Sequence, residues 1–172
     1  ESIQFVKKYH TIAPFTMTNQ NGQIITEKDY ENKVYVADFF FTTCPSICPI
    51  MTKNMFSLQE KLKTKYPEVK LLSYSVTPEI DTVEQLKRYA VENKVDDKIW
   101  NLVTGDKKEI YNLARKSYLV VQNDGNGGPH DMIHTENFVL IDKENRIRGY
   151  YDGTDINEMD RLITEIGMLK ND

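Results

Sequence analysis

Residues 34–49 read VYVADFFFTTCPSICP, an apolar run followed by a turn that contains two cysteines and two prolines. The first part, residues 34–41, is rich in β-branched and aromatic side chains and has the length of a strand, so it predicts a buried β-strand. Pro45 and Pro49 bracket the entry to a helix predicted over residues 47–65, because a first-turn amide has no intrahelical acceptor to lose. The chain is therefore expected to pass from a central strand into a long helix through the cysteine turn.

The remaining sequence alternates between strand and helix patterns. Asn21-Gly22 predicts a hairpin, because a type I′ turn needs positive φ at both central positions. Strands are also predicted at 15–18, 23–26, 69–76, 100–104, 138–141 and 146–151, a short extended piece at 117–121, helices at 82–93, 106–117 and from 155, and a glycine-rich loop at 122–131. This order predicts one α/β domain over residues 1–172, a sandwich with a central mixed sheet and an N-terminal β-hairpin extension.

Charge and hydropathy exclude two classes of protein. The 22 basic and 26 acidic side chains are interleaved and give a net charge of −4, so the clustered basic surface that nucleic acids require is not expected. The longest apolar run, residues 34–41, is interrupted by Asp38 and is far shorter than the roughly 18 residues of a membrane span. The first residue is Glu1 rather than methionine, and we expect that a signal peptide or an anchor has been removed.

Cys44 and Cys48 are the two cysteines of the chain, and they stand where the strand meets the helix. Helix-start amides and the helix dipole favour a thiolate over a thiol, and a thiolate attacks disulfides and binds metals. The spacing lets the two sulfur atoms either form a disulfide or clasp one ion. A structural disulfide or a pair of inert core thiols is the alternative, although a bridge that closes so short a loop adds little stability.

Three histidines are candidate partners for the cysteines. His10 lies in a polar stretch and is expected to be solvated, and His130 lies in the glycine-rich loop. His134 precedes the strand predicted at 138–141, and in a thioredoxin-like sheet that strand lies beside the first one, so His134 meets the cysteine turn. Two thiolates and an imidazole suit copper best; too few cysteines exist for an iron–sulfur cluster, and a zinc site with an open position remains the alternative.

Four motifs are spread over residues 38–153 of the chain. They are DFFFTTCPSICP at 38–49, SVTPE at 75–79, IHT at 133–135 and DG at 152–153. In this combination the chain resembles the Sco/SenC family of copper-binding, thioredoxin-like proteins that serve the assembly of cytochrome c oxidase. The isoleucine directly before His134, where mitochondrial-type members place an acid, makes it more similar to the bacterial branch.

The resemblance implies a fold, a site and a task. The fold is a thioredoxin-like sandwich, and Cys44, Cys48 and His134 are the implied ligands of Cu(I) or Cu(II). The implied location is the periplasm or the outer face of the cytoplasmic membrane, with an N-terminal anchor. The implied partners are the copper-bearing subunit of cytochrome c oxidase, a copper donor protein and thiol–disulfide reductants. The task is to deliver copper to the binuclear centre of that subunit, with release coupled to oxidation of the thiols, or to reduce the cysteines of that centre.

The chain departs from the family pattern at one position, and three further residues are candidates for a role near the copper ligands. The family often has an aspartate where this chain has Thr77, so the role of that carboxylate is open. Asp131 is a candidate hydrogen-bond partner of the His134 imidazole. Met51 and Met55 continue the cysteine stripe along the helix, and core packing is the expected role of both, with assistance to the copper site as the alternative.

Asp38 interrupts the first strand six residues before Cys44, the separation at which thioredoxins keep a buried carboxylate. Burial raises the pKa of such a group, which can then accept a proton from the resolving thiol. The alternative is that Asp38 faces water or binds the neighbouring backbone.

The sequence is compatible with three functions. The first is a copper metallochaperone, in which the loop at 122–131 carries His134 onto and off the metal. The second is a thiol–disulfide oxidoreductase that uses Cys44 and Cys48 without metal, although residues 133–137 lack the proline that thioredoxin-like enzymes place before the facing strand. The third is a plain binding module with a structural disulfide.

Overall fold

Seven strands and four α-helices make up the part of the chain that a computed structural model describes, residues 10–45 and 47–170. The strands are β1 (Thr16–Asn19), β2 (Ile24–Thr26), β3 (Tyr35–Phe40), β4 (Lys70–Ser75), β5 (Trp100–Thr104), β6 (Asn137–Ile141) and β7 (Ile147–Asp152). The helices are α1 (Ile47–Lys65), α2 (Val83–Glu92), α3 (Lys107–Asn112) and α4 (Ile156–Lys170), with a 3₁₀ turn at Glu27–Tyr30 and a π turn at Leu113–Ser117. Glu1 and Ser46, which belong to the sequence features above, lie outside the described residues.

The strands form a mixed sheet in the order β2-β1-β5-β4-β3-β6-β7. Strands β3, β4 and β5 are parallel, and the β1–β2, β1–β5, β3–β6 and β6–β7 pairs are antiparallel. The α/β class and the mixed sheet are thereby confirmed. The N-terminal hairpin extends one edge of the sheet, because β1 pairs with β5 as well as with β2.

Strand β3 lies between β4 and β6 and is buried along its whole length, as its apolar sequence predicts. Val36 and Phe40 face one side of the sheet and pack in an apolar cluster with α1, α2 and α4. Tyr35 and Phe39 face the other side and pack with α3 and the N-terminal segment. Both faces of the sheet are covered, and the end of β3 delivers the chain to α1 at one end of the sandwich.

The hairpin between β1 and β2 forms as predicted, but its turn differs from type I′. The amide of Gly22 donates to the carbonyl oxygen of Asn19 at 3.0 Å, so Gln20 and Asn21 are the central residues of the turn. Gly22 has φ of +75°, whereas Asn21 is not among the described residues with positive φ. This geometry matches a turn followed by a left-handed glycine, a common alternative for hairpins with a longer loop.

Residues 117–121 do not form the extended piece that their apolar sequence predicts. The π turn continues α3, and the amide of Tyr118 donates to the carbonyl oxygen of Leu113 at 2.7 Å. Leu119 then adopts φ of +57°, and the amide of Val120 donates to the carbonyl oxygen of Ala114 at 2.9 Å. Helix-end hydrogen bonds therefore take up the amides that a strand would have paired.

No helix within residues 10–45 and 47–170 is both long enough and apolar enough to cross a membrane.

Candidate functional site

The cysteine turn joins β3 to α1, with Cys44 in the loop and Cys48 in the first turn of the helix. The amide of Cys44 donates to the carbonyl oxygen of Phe41 at 3.3 Å, which folds the loop back on the end of β3. The amide of Cys48 donates to the sulfur atom of Cys44 at 3.4 Å, so a helix-start N–H group points at that sulfur. Both cysteines are thiols in this structure, and no disulfide joins them.

The two thiols lie in different environments. Cys44 is half-buried, whereas Cys48 is 7% exposed and packs in the core with Met51 and Met55, which are fully buried. Burial raises the pKa of the Cys48 thiol well above its ordinary value, and the neighbouring Cys44 raises it further. The expectation that the helix start favours a thiolate is therefore wrong for Cys48, because loss of solvation outweighs the helix amides there.

A cavity of about 660 Å³ opens beside the cysteine turn. Cys44 and Cys48 line one side, and His134, in the loop before β6, lines another. The His134 side chain is exposed, and its ring meets the Phe41 ring edge-on, with 6.0 Å between the centroids. The fold thus brings together residues about ninety positions apart in the sequence, as the thioredoxin-like arrangement predicts.

Asp131 has a different role from the one considered for it. Its carboxylate accepts two hydrogen bonds from the Arg115 guanidinium, at 2.6 and 2.8 Å, and one from the Gly127 amide at 2.8 Å. The Arg115 guanidinium holds the pKa of Asp131 down to about 2. Arg115 also donates to the carbonyl oxygen of Asn123 at 3.0 Å. These contacts tie the segment predicted to carry His134 to the π turn after α3, and they use the carboxylate that was a candidate for the imidazole.

Asp38 is buried in the sheet, 3% exposed, and the alternative that it faces water is wrong. The Ser73 hydroxyl donates to the Asp38 carboxyl, and the Trp100 indole N–H donates to the Ser73 oxygen at 3.0 Å. Burial raises the pKa of Asp38 to about 7, although the Ser73 hydrogen bond opposes the shift. A charge on Asp38 in turn raises the pKa of Cys48, so the two groups act on each other electrostatically.

Sequence reasoning missed the role of Asp81. The cap of α2 is Thr82, and the fully buried Asp81 carboxylate instead binds the hydroxyls of Ser75 and Thr77, at 2.7 and 3.1 Å. It also accepts from the amide and the hydroxyl of Thr42, at 3.2 and 2.5 Å. Asp81 thereby fixes the loop that carries Cys44. The hydroxyl residues Ser75 and Thr77, a few positions before Asp81, were the sequence signal that could have indicated this role, because no hydrogen-bond partner had been assigned to them.

The two other histidines stand apart from the cavity. His10, expected to be solvated, is half-buried and donates from Nε2 to the carbonyl oxygen of Ser117 at 2.7 Å. His130 is exposed in the glycine-rich loop.

Family comparison agrees with the resemblance that the motifs carry. The SCO1/SenC family model matches residues 4–170. The chain belongs to the SCO1/SenC family. Among SCO1/SenC relatives, the SCO1 protein homolog of Bacillus subtilis strain 168 is 33% identical over 158 residues, which cover 91% of this chain and 81% of the relative.

Solved SCO1/SenC structures share the fold. BsSco, a member of the Sco family of cytochrome c oxidase assembly proteins in which a disulfide switch has been identified, superposes with a TM-score of 0.81 at 32% identity and 94% coverage of both chains. Arabidopsis thaliana ScoI, solved with copper bound, superposes with a TM-score of 0.72 at 28% identity, covering 91% of this chain and 98% of its own.

The donors at this SCO1/SenC cavity are chemically suited to copper. Thiolate sulfur is a soft ligand that Cu(I) prefers, and an imidazole nitrogen suits Cu(II). Within the described residues, no three His, Cys, Asp or Glu side chains are placed to hold a metal ion together. Cys44, Cys48 and His134 therefore share one cavity in an open arrangement, and a closed ligand set requires a side chain to move.

Proposed function

We propose that this SCO1/SenC protein is a copper chaperone for the assembly of cytochrome c oxidase. Its cargo is copper, held by the thiolates of Cys44 and Cys48 and the imidazole of His134, and the recipient is the copper-bearing subunit of the oxidase. The convergence of two thiols and one imidazole on a single open cavity carries this proposal. Copper-bound relatives with the same fold support it.

The unequal thiols suggest an order of events during loading. Cys44 is half-buried at the cavity and meets incoming copper first. Cys48 holds its proton because burial raises its pKa, so this proton must leave as copper binds. Asp38, whose pKa is about 7, is a buried acceptor on the same face of the sheet. Exchange with a partner disulfide then converts the two thiolates to a Cys44–Cys48 disulfide and the partner to a dithiol, which removes both sulfur ligands and releases the cargo.

Location and partners are part of the proposal. We place the domain in the periplasm or at the outer face of the cytoplasmic membrane, anchored by a segment before the domain. Thiols in an oxidising compartment form disulfides, so a thiol–disulfide reductant must keep Cys44 and Cys48 reduced. A copper donor protein supplies the cargo.

Anaerobic titration of the reduced protein with Cu(II) tests the binding step. We expect an intense thiolate-to-copper charge-transfer band that saturates at one equivalent and is lost in Cys44→Ser and in Cys48→Ser. Wild-type protein without such a band contradicts the proposal.

For the transfer step, the copper-loaded protein is mixed with the metal-free copper-binding domain of the oxidase subunit, and the copper content of each is measured after separation. Copper that stays on the donor contradicts the chaperone role.

A thiol–disulfide oxidoreductase is the second candidate function. The half-buried Cys44 beside a buried Cys48 and Asp38 favours it, and BsSco has a disulfide switch. In this scheme the Cys44 thiolate attacks a disulfide of the oxidase subunit and forms a mixed disulfide. Cys48 then gives its proton to Asp38 and displaces the partner's sulfur. The partner gains two electrons as a dithiol, and Cys44 and Cys48 become a disulfide. Reduction of the subunit's disulfide by the copper-free protein would favour this function.

A further inference from the structure

The ring of Phe41 is the side chain against which His134 rests. The two ring centroids are 6.0 Å apart and the ring planes meet at 67°, an edge-on arrangement that is favourable for aromatic pairs. Phe41 directly follows β3 and lines the same cavity as the cysteines. The contact is present in the open arrangement, in which the described residues form no metal-binding group.

The backbone on both sides of His134 is fixed. Ile133 is 1% exposed and inserts into the apolar core between the sheet and α3. The carbonyl oxygen of Glu136 accepts a hydrogen bond from the Gly153 amide at 2.7 Å. A shift of the loop would expose the Ile133 side chain and break this hydrogen bond. Rotation of the His134 side chain breaks only the contacts of that side chain. Bringing the imidazole toward the cysteines by rotation therefore requires less free energy than shifting the loop.

We infer that Phe41 is a positioning residue that keeps the His134 imidazole away from the cysteine pair until copper draws it across by side-chain rotation. The inference rests on the proposed function, since it assumes that His134 joins Cys44 and Cys48 as a ligand. The contact with Phe41 must be given up when the three-ligand set forms. Phe41 therefore lowers the affinity of that set and leaves binding by the two thiolates alone unaffected.

Cu(II) affinity of Phe41→Leu tests this role, because leucine keeps the apolar bulk and removes the ring. We expect Cu(II) to bind about 3- to 10-fold more tightly, the range that corresponds to the loss of one aromatic pair contact. Phe41→Tyr keeps the ring and should behave as the wild type. Phe39→Leu is the matched control, since Phe39 lines the same cavity but stacks on Tyr74, and it should leave the affinity unchanged.

A double-mutant cycle separates an effect through His134 from an effect on the cysteine loop. In the His134→Ala background, Phe41→Leu should no longer change Cu(II) affinity. An unchanged or weaker affinity in Phe41→Leu, the same gain in the His134→Ala background, or an equal gain in Phe39→Leu would each overturn the inference. If wild-type protein itself shows no thiolate-bound Cu(II), the proposed function fails instead.

Nuclear magnetic resonance of the metal-free protein provides a measurement that does not depend on affinity. The ring current of Phe41 should shift the carbon-bound ring protons of His134, and this shift should disappear in Phe41→Leu and persist in Phe41→Tyr. Identical His134 ring signals in wild type and Phe41→Leu would show that the contact does not form in solution and would overturn the inference.

Discussion

The Ser73 hydroxyl donates a hydrogen bond to the buried carboxyl of Asp38, and the two residues face each other in register across β4 and β3. Trp100 donates in turn to the Ser73 oxygen, so one carboxyl oxygen of Asp38 is linked to a short polar chain inside an apolar core. Because burial raises the pKa of this carboxyl to about 7, its charge changes near neutral pH.

Asp38 should make the stability of the metal-free protein fall as the pH rises. Its pKa is about 7 in the folded protein and about 3.9 in the unfolded chain, so between these values the folded state binds more protons. The free energy of unfolding therefore decreases as the pH rises from about 4 to about 7, by at most roughly 4 kcal/mol, and levels off above that range.

Asp38→Asn removes this ionisation and keeps an oxygen for Ser73. We expect the variant to be more stable than wild type at pH 8, with a clearly smaller difference at pH 5, measured by urea unfolding with a chelator present. A stability difference between the two proteins that is the same at both pH values would contradict a buried titrating carboxyl.

The two cysteines should differ in reactivity. Cys48 is buried and its pKa is raised, so little of it is thiolate at neutral pH, and a reagent must also reach it through the core. We expect iodoacetamide to alkylate Cys44 at least about tenfold faster than Cys48 at pH 7.5, measured by peptide mass spectrometry of the reduced protein. Cys44→Ser serves as the control for Cys48 alone. Comparable rates at the two positions would mean that the first turn of α1 opens readily.

Asp81 should matter for stability and for the cysteine loop. Asp81→Asn replaces one of two acceptor oxygens by a donor next to the hydroxyls of Ser75 and Thr77 and the amide of Thr42. We expect a loss of about 2–4 kcal/mol in the free energy of unfolding, and faster alkylation of Cys44 because its loop loses an anchor.

Thr82→Ala, which removes only the cap of α2, is the control for Asp81→Asn. It should lower the free energy of unfolding by about 1 kcal/mol and leave the alkylation rate of Cys44 unchanged. Equal effects of the two variants on Cys44 would contradict an anchoring role for Asp81.

Local sequence predicted the elements better than it predicted their partners. The buried strand β3 and the helix α1 follow from a continuous apolar run and from two prolines placed where a helix start tolerates them. The cysteine turn and the buried Asp38 follow from the same stretch. Residues 117–121 were predicted wrongly, because their apolar pattern suits a strand whereas the end of α3 takes their amides.

Hydrogen-bond and ion-pair partners that lie far apart in the sequence could not be predicted from local sequence patterns. Thr42 and Asp81 are 39 residues apart, and Arg115 and Asp131 are 16 apart, so no periodic pattern links either pair. Asp131 is acidic and three residues from His134, which made it a candidate partner for the imidazole. A guanidinium offers a carboxylate two parallel hydrogen bonds, and this stronger pairing is the one that forms.

His134 should distinguish the oxidation states of copper. Cu(I) is satisfied by two or three soft ligands, whereas Cu(II) gains more from an added nitrogen. We therefore expect His134→Ala to weaken Cu(II) binding by more than about tenfold, with a much smaller loss for Cu(I), in parallel anaerobic competition titrations. His130→Ala is the matched control, because His130 is exposed in the loop upstream and should leave both affinities unchanged. Equal losses for the two oxidation states in His134→Ala would mean that the imidazole does not respond to the redox state of the metal, and the coupling of release to oxidation would then depend on the thiols alone.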